Sequence, residues 1–130
     1  MRRLLYVASF LIALSSCAES APEQAAAEAA KSYYDLLREG YYEGFLEGKA
    51  GVDSLPAPYC EQLLKVGQQY MADLIRKHKG ISEVRISDNV GRTDSSLHLT
   101  HAFLLLCYGD STQEEITVPM VEVGGVWKMK

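Results

Sequence analysis

Two periods divide this chain. Up to about residue 79 the apolar positions recur at helical spacing, and from residue 82 they alternate at a period of two. Ala26, Ala30, Tyr33 and Leu37 mark one face of a helix over Glu23 to Glu39, with acidic residues early, Arg38 late and Gly40 as its stop. A short second helix covers Tyr41 to Glu47, with Tyr42, Phe45 and Leu46 turned inward. A third helix runs from Pro58 to Lys79 on a stripe of Leu63, Gly67, Tyr70, Leu74 and His78, broadened by Leu64, Met71 and Ile75. Arg76, Lys77 and Lys79 suit its C-terminal dipole, and Gly80 ends it.

The strands follow. Ser82, Val84 and Ile86 alternate with polar neighbours, and Asp88 to Ser95 reads as a loop. Leu97 to Tyr108 is a long apolar strand, Gly109 to Thr112 a turn, and Glu114 to Val123 a strand in which Pro119 marks an edge or a bulge. Gly124-Gly125 makes a tight hairpin that pairs Val123 with Val126, Glu122 with Trp127 and Met120 with Met129. Ile116, Val118, Met120, Trp127 and Met129 then share one face. With two or four loop residues at Gly109, His101, Phe103, Leu105 and Cys107 join that face under the helices, and His98, Leu104 and Leu106 take the other.

The first sixteen residues belong to neither pattern. Arg2 and Arg3 precede an apolar run from Leu4 to Leu14, too short to span a bilayer, and small residues lead to Cys17. This is a secretory signal over 1–16, and Leu14-Ser15-Ser16-Cys17 resembles the lipobox of bacterial lipoproteins. That resemblance implies cleavage before Cys17, a diacylglycerol on its thiol, and anchoring to a membrane of the bacterial cell envelope without crossing it. Residues 17–22 are then the lipidated cysteine and a tether, and 23–130 are one domain. Removing the leader leaves 11 Lys plus Arg against 17 Asp plus Glu, a net charge of about −6. The scattered acidic residues and the lack of a basic stripe argue against nucleic acid and against a polybasic membrane surface.

Cys60 and Cys107 remain as an even pair in an oxidising compartment, either a disulfide or two buried thiols. No Cys-x-x-Cys or His/Cys cluster points to a metal, and no motif points to a cofactor.

Three helices before a meander of about four strands is an α+β arrangement, a curved and mainly antiparallel sheet wrapped into a cone around a long helix. With Ala30-x-x-Tyr33-Tyr34, Gly40-Tyr41-Tyr42-Glu43-Gly44-Phe45-Leu46 and the closing Pro119 to Met129, the chain resembles the nuclear transport factor 2-like (SnoaL-like, cystatin-like cone) superfamily, and among its members the short Bacteroides-type lipoproteins without an assigned function. The resemblance implies a cone pocket and, in many members, pairing through the exposed sheet face. The expected pocket residues are Tyr33, Tyr70, His101, Met120 and Trp127, suited to a small apolar or amphipathic ligand. His98, Thr100, Leu104, Leu106 and Thr117 would line a homodimer contact. The leading expectation is a non-catalytic binding module. The alternative is a small cone-pocket enzyme using His101 or a tyrosine (Tyr33, Tyr70 or Tyr108) as a general base, although no Asp-His or Glu-His pair is visible in the sequence.

Overall fold

The computed structural model describes residues 21–130. The signal segment, Cys17 and most of the tether lie outside the described residues. Helix α1 spans Pro22–Arg38, with Pro22 and Glu23 in its first turn and Arg38 in its last. Ala26, Ala27 and Ala30 are fully buried, and their small side chains let α1 lie close on the sheet. Helix α2 spans Tyr42–Glu47, a 3-10 turn covers Val52–Ser54, and helix α3 spans Ala57–His78. Lys79 and Gly80 both have positive φ, and their amides return to the carbonyls of Ile75 and Leu74 to close α3. No helix among the described residues is long and apolar enough to cross a membrane.

Four antiparallel strands follow in the sheet order β1-β2-β3-β4: β1 (Ile81–Asp94), β2 (Leu99–Tyr108), β3 (Gln113–Val123) and β4 (Val126–Met129). The α+β architecture is therefore the expected one. The Gly124-Gly125 hairpin also has the expected register, Val123 to Val126, Glu122 to Trp127 and Met120 to Met129. Strand β1 is longer than its alternation suggested. A register break between Ile86 and Gly91 carries it through the segment read as a loop.

The Gly109 turn corrects the face assignment. Tyr108 donates its amide to Thr112 O at 2.9 Å and Ser111 returns its own to Tyr108 O at 3.2 Å, so the loop holds three residues, Gly109 to Ser111. Ser111 sits at φ 71°, the left-handed position of a three-residue hairpin. An odd loop reverses the parity of β2 against β3. Leu104 and Leu106 are fully buried under the helices, opposite Ile116 and Glu114. His101, Phe103, Leu105 and Cys107 face outward, and only half-buried.

The core lies between α1 and the inner sheet face, with Leu37, Val84, Leu104, Leu106 and Met120 at its centre and Met71 and Leu74 of α3 against it. Of the aromatic residues expected in this core, Tyr33 and Trp127 pack at its border, Tyr70 is 38% exposed and Phe103 is on the outer face. At the far edge, Gly48–Ala50 runs beside β4: Met129 donates to Gly48 O and Ala50 to Met129 O, both at 2.7 Å. Gly48 is needed there, because a Cβ would stand 2.4 Å from the Tyr33 ring. Tyr33 in turn donates its hydroxyl to Trp127 O at 2.7 Å.

Candidate functional site: an apolar cavity beside an open strand edge

Helix α3 does not lie flat on the sheet. Its last turns pack, but its middle stands away from β3 and leaves a cavity of about 380 Å³. The floor is Tyr34, Leu37, Tyr42, Phe45 and Leu46 from α1 and α2. One bank is Leu63, Val66, Gly67 and Tyr70 on α3, and the other is Ile116 and Thr117 on β3, with Lys49 at the rim. Tyr34 and Phe45 meet edge to face at 5.3 Å and fix the floor. Val66 is 64% exposed although it is on this bank, so the cavity opens to solvent between α3 and β3. A smaller continuation of about 170 Å³ runs up β3 past Val118 and Pro119 to Met129 and Lys130. A more open depression lies on the other side of α2, around Tyr41, Glu43 and Gln68.

Two phenols of the lining, Tyr34 and Tyr70, lead to a polar cluster that stands beyond Tyr70, outside the cavity wall. Burial pushes the Tyr34 phenol up to about 12, with Tyr70 adding to the effect. Tyr70 is raised by burial and then by the Glu114 carboxylate nearby. Tyr108 donates its hydroxyl to Glu114 Oε1 at 2.5 Å, and its pKa is raised by burial first and by this bond second. Behind it, the His78 ring stacks on Tyr108 at 4.4 Å, and His78 Nδ1 lies 2.9 Å from Asp110 Oδ2. The Thr112 hydroxyl, and then His78, hold Asp110 down at about 2. The amides of Gly109 and Asp110 donate to Gly80 O and His78 O, so this cluster clamps the end of α3 to the β2–β3 turn.

An Asp–His pair therefore exists that the sequence reading did not see, because its members are 32 residues apart. Tyr34 and Tyr42 also line the cavity and are not among the expected pocket residues, although both stand in the tyrosine-rich segments of the first two helices. Of the five expected pocket residues, only Tyr70 lines the cavity. Met120 is fully buried in the core, and Tyr33 and Trp127 are joined to each other beside β4. His101 is on the outer face opposite Pro119 and Arg92, with an enclosed Nδ1 that has no partner among the described residues. The expected dimer contact is corrected too. Thr100, Leu104 and Leu106 are buried on the inner face, His98 is in the β1–β2 loop, and only Thr117 lies on the outer face.

Cys60 and Cys107 are both free. Cys60 lies in the first turn of α3, and Cys107 lies next to the turn that meets its last, about 27 Å away along the helix at 1.5 Å per residue. No group of three metal-ligating side chains occurs among the described residues.

No protein-family profile matches the chain, and no curated protein matches it. Its fold is similar to the crystal structure of a Campylobacter jejuni protein, provisionally described as an NTF2-like transpeptidase, with a TM-score of 0.61 and 11% sequence identity over 78% of this chain and 94% of that one. The two share the NTF2-like fold.

Proposed function

We propose that this protein is a non-catalytic, lipid-anchored module of the bacterial cell envelope that holds an apolar or amphipathic ligand in the cavity between α3 and β3. The observation that carries this reading is the cavity itself. It is large enough for a small ligand, open on one side, and lined by aliphatic and aromatic side chains with Lys49, Thr117 and the phenols of Tyr34, Tyr42 and Tyr70 as its polar groups. Its lining contains no serine, cysteine, histidine or carboxylate. That lining suits sequestration better than covalent catalysis, which needs an activated nucleophile. The anchor at Cys17 comes from the lipobox-like leader.

The enzyme reading is left with one specific observation, the His78–Asp110 pair. Its geometry favours a structural role, because Asp110 occupies Nδ1 and Tyr108 covers the ring face. The test is titration with the apolar dye N-phenyl-1-naphthylamine. Saturable binding that Gly67→Leu abolishes supports the cavity as the site, and no binding refutes it. Mass spectrometry of membrane-extracted protein tests the anchor: an acylated amino-terminal Cys17 is expected, and a mature terminus elsewhere would overturn it.

A further inference from the structure

Strand β3 is only half covered on its outer edge. Its pairing with β4 runs from Met120 to Val123, and Lys130 donates to Pro119 O at 2.9 Å. Below Pro119 the partner strand has ended. Backbone groups of a strand alternate in direction, so Gln113, Glu115 and Thr117, which share the parity of Pro119, turn their N–H and C=O groups away from β2. None of these groups has a backbone partner on that side among the described residues. All three residues are exposed. Pro119 fits this geometry, since its nitrogen faces the edge and takes nothing from the ladder.

The open edge borders the cavity. Ile116 and Thr117 are in the cavity wall, facing Val66 and Tyr70 across the opening. An extended segment laid along β3 would send alternate side chains into the cavity beside Ile116 and out over the sheet beside Glu115.

Charge selects the occupant. Glu114 and Glu115 stand at the lower end of the open stretch, and neither is in a salt bridge among the described residues. Each has one oxygen engaged, by the hydroxyls of Tyr108 and Ser87, and one oxygen to spare. Lys49 stands at the upper end, beside Thr117 and Pro119, and is also unpaired among the described residues. A second copy of this chain fits poorly. Antiparallel pairing of two such edges about their middle sets Glu115 against Glu115, and like charges directly opposite are destabilising. Helix α1 begins at the other side of the sheet, where Glu23 accepts from Thr93 of β1.

We infer that the open edge of β3 binds an extended peptide segment of another protein by strand addition. The segment has apolar residues at alternate positions, one of them in the cavity, a basic side chain across from Glu115 and an acidic one near Lys49. The inference shares the cavity with the ligand reading above, and the test separates the two.

The probe is the hexapeptide acetyl-Lys-Leu-Lys-Leu-Glu-Leu-amide, together with its reversed sequence to allow either strand direction. Titration is followed by amide chemical shifts of the full mature protein. Saturable binding centred on the amides of residues 113–117 is expected. The peptide with Lys and Glu exchanged binds more weakly. Glu115→Pro removes one outward N–H together with the carboxylate, without touching the β2 ladder, and Glu115→Gln removes the charge alone. The proline variant binds the peptide about tenfold more weakly than the glutamine variant, the equivalent of one hydrogen bond. The proline variant still takes the naphthylamine dye as the wild type does, so a lost peptide with a retained dye isolates the edge. A hexapeptide N-methylated at the residue facing Glu115 makes the same test on unaltered protein should Glu115→Pro fold poorly. Absence of saturable binding, equal binding by Glu115→Pro and Glu115→Gln with undiminished binding of the methylated peptide, or an edge-dependent dimer in sedimentation would each overturn the inference.

Discussion

Gly67 sits in the middle of the 22-residue helix α3, where glycine costs about 0.5–1 kcal/mol relative to alanine. Its backbone does not require glycine, since its φ is not positive. Nor does packing require it. A Cβ placed there meets Tyr42 Cδ1 at 3.6 Å and Leu37 Cδ1 at 3.9 Å, ordinary contact distances on the floor of the cavity. Gly67→Ala should therefore stabilise the domain by about 0.5–1 kcal/mol, with a rise in melting temperature of up to about 4 °C for a domain of this size. Gly67→Leu keeps the same gain in helix propensity and pushes four carbons into the cavity, between Tyr42 and Tyr70.

The two variants separate stability from binding. Thermal melting followed by far-ultraviolet circular dichroism reads the first, and dye titration reads the second. Gly67→Ala is expected to melt higher and to bind slightly less dye. Gly67→Leu is expected to melt at least as high as the wild type and to lose binding by about tenfold or more, since the ligand must now compete with a side chain for the same space. A destabilised Gly67→Ala would refute the contact distances at this position. Unchanged dye affinity in a folded Gly67→Leu would refute the cavity as the site. A glycine that lowers helix stability while keeping an apolar space open is a local sacrifice of the kind found at functional sites.

Three further outcomes follow from the packing. Gly48→Ala should destabilise by about 2 kcal/mol or more in urea unfolding, because its methyl group would overlap the Tyr33 ring and the Gly48–Ala50 segment is pinned to Met129 on both sides. Tyr33→Phe should cost about 1 kcal/mol in the same assay by leaving Trp127 O without its donor. Asp110 has a folded pKa near 2 against 3.8 for the free side chain, so its contribution to stability is present above about 3.8 and is lost as pH falls toward 2. Asp110→Asn should therefore flatten the dependence of melting temperature on pH across that interval, and a parallel acid profile would show that the carboxylate has no such role.

The helices, the strand order and the last hairpin were legible because each rests on local chemistry. Helix stops at Gly40 and Gly80 and the two-residue Gly124-Gly125 turn are written in adjacent residues. The pocket was not legible, and one residue explains most of the error. Three-residue hairpins usually place glycine at the left-handed position, which is the last of the loop. In this chain Ser111 holds that position at φ 71°, and the glycine is two places earlier. Gly109 serves a different constraint. A Cβ there would stand 2.6 Å from Lys79 O, so the residue is small in order to let the β2–β3 turn close on the end of α3. The glycine in Gly109-Asp110-Ser111-Thr112 thus marks a tertiary contact and gives no count of loop residues.

From that single ambiguity the parity of β2 follows, and with it the inward place given to His101 and the outward place given to Leu104 and Leu106. The same contact also brings His78 to Asp110 and Tyr108, a cluster assembled from the end of a helix and a turn more than thirty residues on. No periodicity within either element carries that information. The open edge of β3 has a similar origin. It exists because β4 is four residues long while β3 is eleven, and the difference leaves the outer edge of the lower half of β3 without a partner among the described residues, while its inner edge stays paired with β2. Strand lengths were within reach of the sequence. What that length mismatch exposes became clear only once α3 was seen to stand off the sheet at that place, with Gly67 and Val66 facing the gap.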